Sequence, residues 1–259
     1  MLTTKAVAIV DPQIREVINS YQWNIDRVVS PLAFVKQHRK WIENSTFNLV
    51  GLDGYKFAYI TDGCTGAFNE VYNQTCYVLQ GEYTYHRDSA QAVVLESYLQ
   101  IPNNSRLIIS YPFAATGNPH EDWEKILEYC KNKNIQIFVD ACLAGVSKGS
   151  LVLHFPITHI ALSYSKAFGT GFARTGVVYS LYDSASPASI TNKYLYIQHN
   201  NVQLHSILMQ NFSSDYIYKK YVTAQATICK EHNLAQSDCV LFGNNENGRL
   251  CITKLICHN

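Results

Sequence analysis

The run Ile135-Gln136-Ile137-Phe138-Val139, closed by Asp140, constrains this chain more than any other feature. It is apolar at four of five positions without the alternation of a half-exposed strand. Such a strand has to be covered on both faces, and a parallel sheet between two helical layers provides that cover. Similar short runs recur at Tyr55–Thr61, Cys76–Leu79, Arg106–Ser110, Ile157–Ser163 and Gly176–Tyr179. The last two read as further buried parallel strands. Helical periods and turns lie between the runs. The clearest helix has Asn118 as its predicted N-cap, Pro119 at its first position and Glu121 three residues after the cap. Trp123, Ile126, Leu127 and Cys130 then share one face. Asp62-Gly63-Cys64-Thr65-Gly66 reads as a turn leading into a helix that starts near Ala67. The expected fold class is α/β, a mostly parallel sheet sandwiched by helices. Right-handed crossovers gather the strand carboxyl ends on one edge, where such sheets bind ligands.

From about Ile190 the texture shifts to longer amphipathic helices, predicted over Val202–Phe212 and Asp215–Cys229. A Gly-Asn-Asn-Glu-Asn-Gly turn at 243–248 precedes a last apolar segment, Leu250–Cys257. The expected organisation is a partly helical lead-in over 1–45, a large α/β domain over 46–190 and a reduced small C-terminal lobe over 191–259. Hydrophobic residues are 47% and charged residues 16% of the 259, which suffices for a sizeable core. The formal net charge is +1 and no basic cluster is visible, so neither nucleic acid nor an anionic membrane is an expected partner. No apolar run approaches the ~20 residues that span a bilayer, and Met1–Val10 lacks the apolar stretch of a signal peptide. Eight cysteines without a CxxC pair point to a reducing cytoplasm and away from a structural metal site.

Three features fall at predicted strand carboxyl ends: the Gly63–Gly66 turn, Asp140, and the run Ser163-Tyr-Ser-Lys-Ala-Phe-Gly-Thr-Gly-Phe-Ala-Arg174. Singly, each has a plain structural reading, as a capping Asp, a solvated Lys or an ordinary turn. Together and in this order they resemble the aspartate aminotransferase superfamily of pyridoxal-phosphate enzymes, also called fold type I. Ser163-x-Ser165-Lys166, followed by Gly169, Arg174 and Gly176, is similar to the family's lysine motif. Gly63-Cys64-Thr65-Gly66-Ala67 resembles its phosphate turn. The likeness covers residues 55–180 closely and the rest loosely.

The resemblance implies a role for each matched residue. Lys166 would form a Schiff base with pyridoxal 5′-phosphate. Asp140 would sit against the pyridine nitrogen and keep the ring protonated. The phosphate dianion would be held by Cys64 and Thr65 at the turn, by Ser163 and Ser165 before the lysine, and by Arg174 after it. Tyr83 stands where an aromatic ring stacks on the pyridine, with Tyr85 as second choice and ordinary core packing as the competing reading. Gly248-Arg249-Leu250 resembles the segment whose Arg clamps the substrate α-carboxylate, which makes Arg249 the expected substrate-binding residue. Asn200 and Asn201 stand near the segment that reaches a neighbouring site in such dimers, and a homodimer is expected.

Two positions depart from the family pattern. Tyr111-Pro112-Phe113-Ala114-Ala115-Thr116-Gly117 has Ala114 where the family has an Asn, and Asp140-Ala141-Cys142-Leu143 has Leu143 where it has a Tyr. Both usual donors to the cofactor's phenolic oxygen are therefore missing, which raises the expected proton affinity of the Schiff base and leaves ordinary transamination less assured. The expected function is a compact pyridoxal-phosphate enzyme acting on an α-amino acid, an aminotransferase with a 2-oxo acid as acceptor. Elimination, replacement or decarboxylation with the same cofactor stays open. So does a catalytically retired scaffold that binds cofactor or amino acid for regulation, although retention of Lys166 and Asp140 argues against it. Gly169–Gly171 lacks GxGxxG and the phosphate turn lacks Gly-Lys-Ser/Thr, so neither a Rossmann nor a P-loop reading holds.

Overall fold

The computed structural model describes residues 3–43, 45–71, 74–183 and 185–258, so Met1 and Leu2 of the segment read above for a leader lie outside the described residues. In chain order, α1 (Pro12–Ser20) and α2 (Pro31–Ile42) precede β1 (Phe47–Val50) and β2 (Phe57–Thr61). Next come α3 (Gly63–Ala67), β3 (Cys76–Leu79), α4 (Thr84–Ala90) and β4 (Val93–Leu95). They are followed by β5 (Arg106–Ser110), α5 (Trp123–Asn132), β6 (Gln136–Asp140) and β7 (Gly149–Val152). Then come β8 (Ile157–Ser163), β9 (Gly176–Ser180), α6 (Pro187–Lys193), α7 (His199–Asn211) and α8 (Tyr216–Glu231). The chain closes with β10 (Ala235–Gln236), β11 (Phe242–Asn245), β12 (Gly248–Cys251) and α9 (Thr253–His258).

Among the described residues, seven strands form the main sheet in the order β2-β9-β8-β6-β5-β3-β4. The pairs from β4 through β3, β5 and β6 to β8 are parallel. Successive side chains of a strand go to opposite faces, and here both faces are dry. Leu107, Ile109, Ile137, Val139, Ile160 and Leu162 enter the larger apolar cluster. Ile108, Phe138, Ala161 and Val178 enter a smaller one built with Ala67, Phe68 and Val71. That double burial is why these strands read as unbroken apolar runs. The fold is α/β with a mostly parallel sheet, as expected. The strands β10, β11 and β12 make a small antiparallel sheet. Leu241, Phe242, Ile252 and Ile256 in and around it join the larger cluster.

The structure corrects four local expectations. The strand at Gly176 is antiparallel to both neighbours, β8 and β2. No crossover helix lies between Ser163 and Gly176, so the chain turns back on itself and Gly176 pairs with Ser163. The helix expected to start near Ala67 instead ends there, because Gly63–Ala67 is itself helical. Helix α5 begins at Trp123, not at Pro119. The Asn118 side chain is drawn into a tertiary bond, its Oδ1 accepting from the Asp238 N–H at 2.7 Å, which leaves Asp122 at the cap position. The turn at 243–248 is tighter than expected, since Asn245 pairs with Gly248 and Glu246 and Asn247 alone connect the strands.

Asp11 fastens the lead-in to the rest of the molecule. Its Oδ1 caps α1 by accepting from the Gln13 and Ile14 N–H groups at 2.9 and 3.0 Å. Its Oδ2 accepts from Tyr221 at 2.7 Å and from Lys220 at 2.6 Å, both on α8. Burial pushes this carboxyl's pKa up, but the bonds from Lys220, Tyr221 and Ile14 outweigh it and hold the pKa below the usual value. A depressed folded-state pKa contributes stability that is full above the unfolded value of about 3.9 and fades as pH falls through the folded one. Asp11→Asn should therefore cost about 1–3 kcal/mol at pH 7 and progressively less below pH ~4. Urea unfolding at a series of pH values checks this. Converging curves are expected, and a constant gap between the two proteins would contradict the assignment.

Candidate functional site

The carboxyl ends of β3, β5, β6 and β8 meet the start of β9 on one edge of the sheet, where a cavity of about 540 Å³ opens. Lys166 and Asp140 both line it. So do Cys64 and Thr65 from α3, and Ser163, Ser165 and Arg174 from the segment around the lysine. Tyr83 and Arg249 complete the expected set, arriving from the segment after β3 and from β12. Tyr85 does not line the cavity but stacks on Tyr83, with ring centroids 5.9 Å apart at 16°. Asn200 and Asn201 are also absent from the wall. Asn200 Oδ1 accepts from Tyr21, while Asn201 Nδ2 donates to the Arg174 carbonyl at 3.2 Å.

One part of the cavity is built like an anion cradle. Gly63 has φ +69°, which turns the chain from β2 into α3. A Cβ on Gly63 would stand 3.0 Å from Arg174 Nη2 and 3.5 Å from Ser163 Oγ. Arg174 Nη2 donates to Thr65 Oγ1 at 2.6 Å and its Nε to the Asp62 carbonyl at 3.2 Å. Ser163 and Ser165 hydroxyls meet at 3.0 Å. The antiparallel turn before β9 brings Arg174 to this edge, and Gly176 lets the turn close. A Cβ there would lie 2.5 Å from the Leu162 carbonyl oxygen and 2.9 Å from Gly63 Cα.

The other part holds the titratable groups. Asp140 is buried, and its Oδ1 accepts from the Cys142 N–H at 3.0 Å. Burial pushes its pKa up, against hydrogen bonds from the Cys142 N–H and from the thiols of Cys64 and Cys142. Both thiols are themselves driven well above their ordinary pKa, chiefly by burial, and so stay protonated donors. Lys166 is half-buried, and desolvation lowers its pKa. Arg249 Cζ stands 4.5 Å above the Phe242 ring, and burial likewise weakens its hold on the proton.

Three wall elements carried no motif in the sequence. Thr4, Lys5 and Ala6 cross the cavity, where Lys166 Nζ donates to the Ala6 carbonyl at 2.7 Å and Arg249 Nε to that of Thr4 at 3.3 Å. A bridge between Thr3 and Cys251 fixes this segment, a contact between the two ends of the chain that local patterning does not encode. Ser110 ends β5 and could have been found by the strand-end rule that singled out Asp140. Glu82 lies beside Tyr83 in the chain and also lines the cavity.

The family model for aminotransferase class I and II matches residues 58–241. No protein of curated function matches the sequence. An aromatic amino acid aminotransferase from Burkholderia cenocepacia superposes with TM-score 0.65 at 13% identity, over 97% of this chain and 87% of that one. An aspartate aminotransferase from Thermotoga maritima gives 0.60 at 12%, over 93% and 78%. A C-S lyase from Staphylococcus hominis, bound to pyridoxal phosphate, gives 0.59 at 13%, over 92% and 74%. At these identities the structural likeness speaks for the fold.

The close approach of Gly63 and Gly176 leads to a direct test. Gly176→Ala should lose about 1–3 kcal/mol or more, because its new methyl meets backbone that cannot rotate away. Gly171→Ala, whose Cβ meets nothing within 4 Å, serves as the comparison. Urea midpoints of the two variants are the measurement, and equal values would contradict the packing described.

Proposed function

The chain belongs to the aminotransferase class I and II family, and from that premise we propose that it is a pyridoxal-5′-phosphate enzyme that transfers the amino group of an α-amino acid to a 2-oxo acid. The observation that carries the reading is the sharing of one cavity by Lys166 and Asp140, with the anion cradle at its edge. The residues fit the cofactor. At Gly63 the missing Cβ keeps open the space beside Arg174 and Ser163, and the donors there are the Arg174 guanidinium and the hydroxyls of Thr65, Ser163 and Ser165. When bound, pyridoxal phosphate supplies an aldehyde that captures amines and a ring that accepts the electron pair released at a substrate Cα.

The chain's own residues divide the remaining work. Burial lowers the proton affinity of Lys166, so a larger share of its amine is the free base that nucleophilic attack and proton carriage require. Nζ would take up the proton released at the substrate Cα and give it back as the amino group is transferred. Asp140 holds a carboxylate in a dry setting, where a protonated ring nitrogen is its natural counter-charge. Tyr83, about half exposed, has the ring to cover one face of the heterocycle. Arg249 would orient the α-carboxylate, and its present bond to the Thr4 carbonyl is weak enough to exchange for a charged partner. The packed thiols beside Asp140 suit a reducing, cytoplasmic setting.

A second reading, elimination, replacement or decarboxylation on the same cofactor, is favoured by Ala114 and Leu143 in place of the usual donors. Product analysis separates the two. A 2-oxo acid formed in step with the aminated cofactor supports transfer, whereas ammonia or CO₂ release without it moves the assignment to the second reading. Arg249→Gln should raise KM for the amino acid by about tenfold or more, with a smaller effect on kcat. An unchanged KM would remove Arg249 from the site.

The reading includes a homodimer. Phe172, 72% exposed, precedes Arg174 by two residues, and Tyr196, 77% exposed, lines a neighbouring cavity with Arg174. Apolar side chains of this size are common at subunit contacts. Sedimentation equilibrium should give twice the chain mass, and Phe172→Asp with Tyr196→Asp should shift it toward the monomer. A wild-type monomer with full cofactor occupancy would contradict the dimer.

A further inference from the structure

Glu82 enters the cavity beside the position that lost its amide. Gly81, with φ +96°, packs so tightly that a Cβ would lie 2.9 Å from Ala115 Cβ and 3.3 Å from Phe113 Cε1. Those two residues flank Ala114, and Ala114 and Glu82 line the same cavity. The small methyl at 114 is thus matched by a longer polar side chain from the adjacent strand end.

The Glu82 carboxyl is seated on Ser110. Its Oε1 accepts from the Ser110 N–H at 2.7 Å and its Oε2 from the Ser110 hydroxyl at 2.5 Å. Ser110 pairs in register with Asp140, so the two carboxyls stand at neighbouring strand ends. The charged groups facing Glu82 are Asp140 from β6 and Arg249 from β12, with the Tyr83 N–H at 3.3 Å on its own segment. Burial, helped by Asp140 and opposed by the Ser110 bonds, pushes its pKa up to about 7. In the uncharged form, both oxygens still accept from Ser110 while one O–H remains to donate.

We propose that Glu82, seated on Ser110, donates a hydrogen bond to the phenolic oxygen of pyridoxal phosphate in place of the donors missing at Ala114 and Leu143. The proposal rests on the cofactor reading above. A donor at that oxygen draws charge from it and weakens its hold on the neighbouring Schiff-base proton, which is then lost at lower pH.

The test is a pH titration of the visible absorption band of the holoprotein, for the wild type, Glu82→Gln and Glu82→Leu. Gln keeps a donor without an ionisable proton, and Leu keeps the volume without a donor. The midpoint of the Leu variant should exceed that of the Gln variant by about one pH unit, equivalent to tenfold tighter proton binding. Should the Leu variant fail to fold, Glu82→Met replaces it with the same expectation. Coincident midpoints in variants that bind the cofactor would overturn this proposal alone. A wild type that gives no visible band with pyridoxal phosphate would overturn the cofactor reading and this proposal with it.

Discussion

The central strands β5 and β6 are dry on both faces, and their polar residues stand at their ends. That constraint governs the rest of the molecule. Ser110 and Asp140 end β5 and β6 in register, Ser163 ends β8, and Gly176 begins β9 beside it. The side chains that line the cavity share one edge, at the ends of strands whose middles are packed with apolar groups. The antiparallel return of β9 adds what a purely parallel sheet could not, since it brings Arg174 back to the edge from which the lysine segment leaves.

Burial at that edge is selective. Asp140 and Glu82 both have raised pKa values from desolvation, yet their partners differ. Asp140 gathers thiol and amide donors, and Glu82 gathers both donors of a single serine. Two carboxyls in one dry pocket do not ionise independently, and the arrangement favours one charged and one neutral group. Lys166 and Arg249 meanwhile rest on backbone carbonyls of residues 4–6, the lead-in that Asp11 fastens to α8. Residues 4–6 thus form part of the wall around Lys166.

Much of this was legible before the fold was known, for physical reasons. The doubly buried strands announce themselves as apolar runs, and the cradle and lysine segments are local in sequence, so their resemblance to the family's motifs can be read from them. What stayed hidden depends on contacts between distant segments. An apolar run such as Val177-Val178-Tyr179 reads alike in either direction, so the antiparallel course of β9 was not visible. Asn118 has the look of a helix cap, but its side chain is taken by the Asp238 N–H across the molecule. Glu82 gains its meaning only when Gly81 is seen against Phe113 and Ala115, and Thr4–Ala6 only when the two termini are seen to pair through Thr3 and Cys251.

The proposed chemistry depends on a bond between the Lys166 amine and the aldehyde of pyridoxal phosphate. Reductive trapping tests it most directly: the protein is incubated with the cofactor, treated with borohydride, and mapped by peptide mass spectrometry. One stoichiometric phosphopyridoxyl group, on Lys166, is expected. Labelling spread over surface lysines, or none at Lys166, would contradict it.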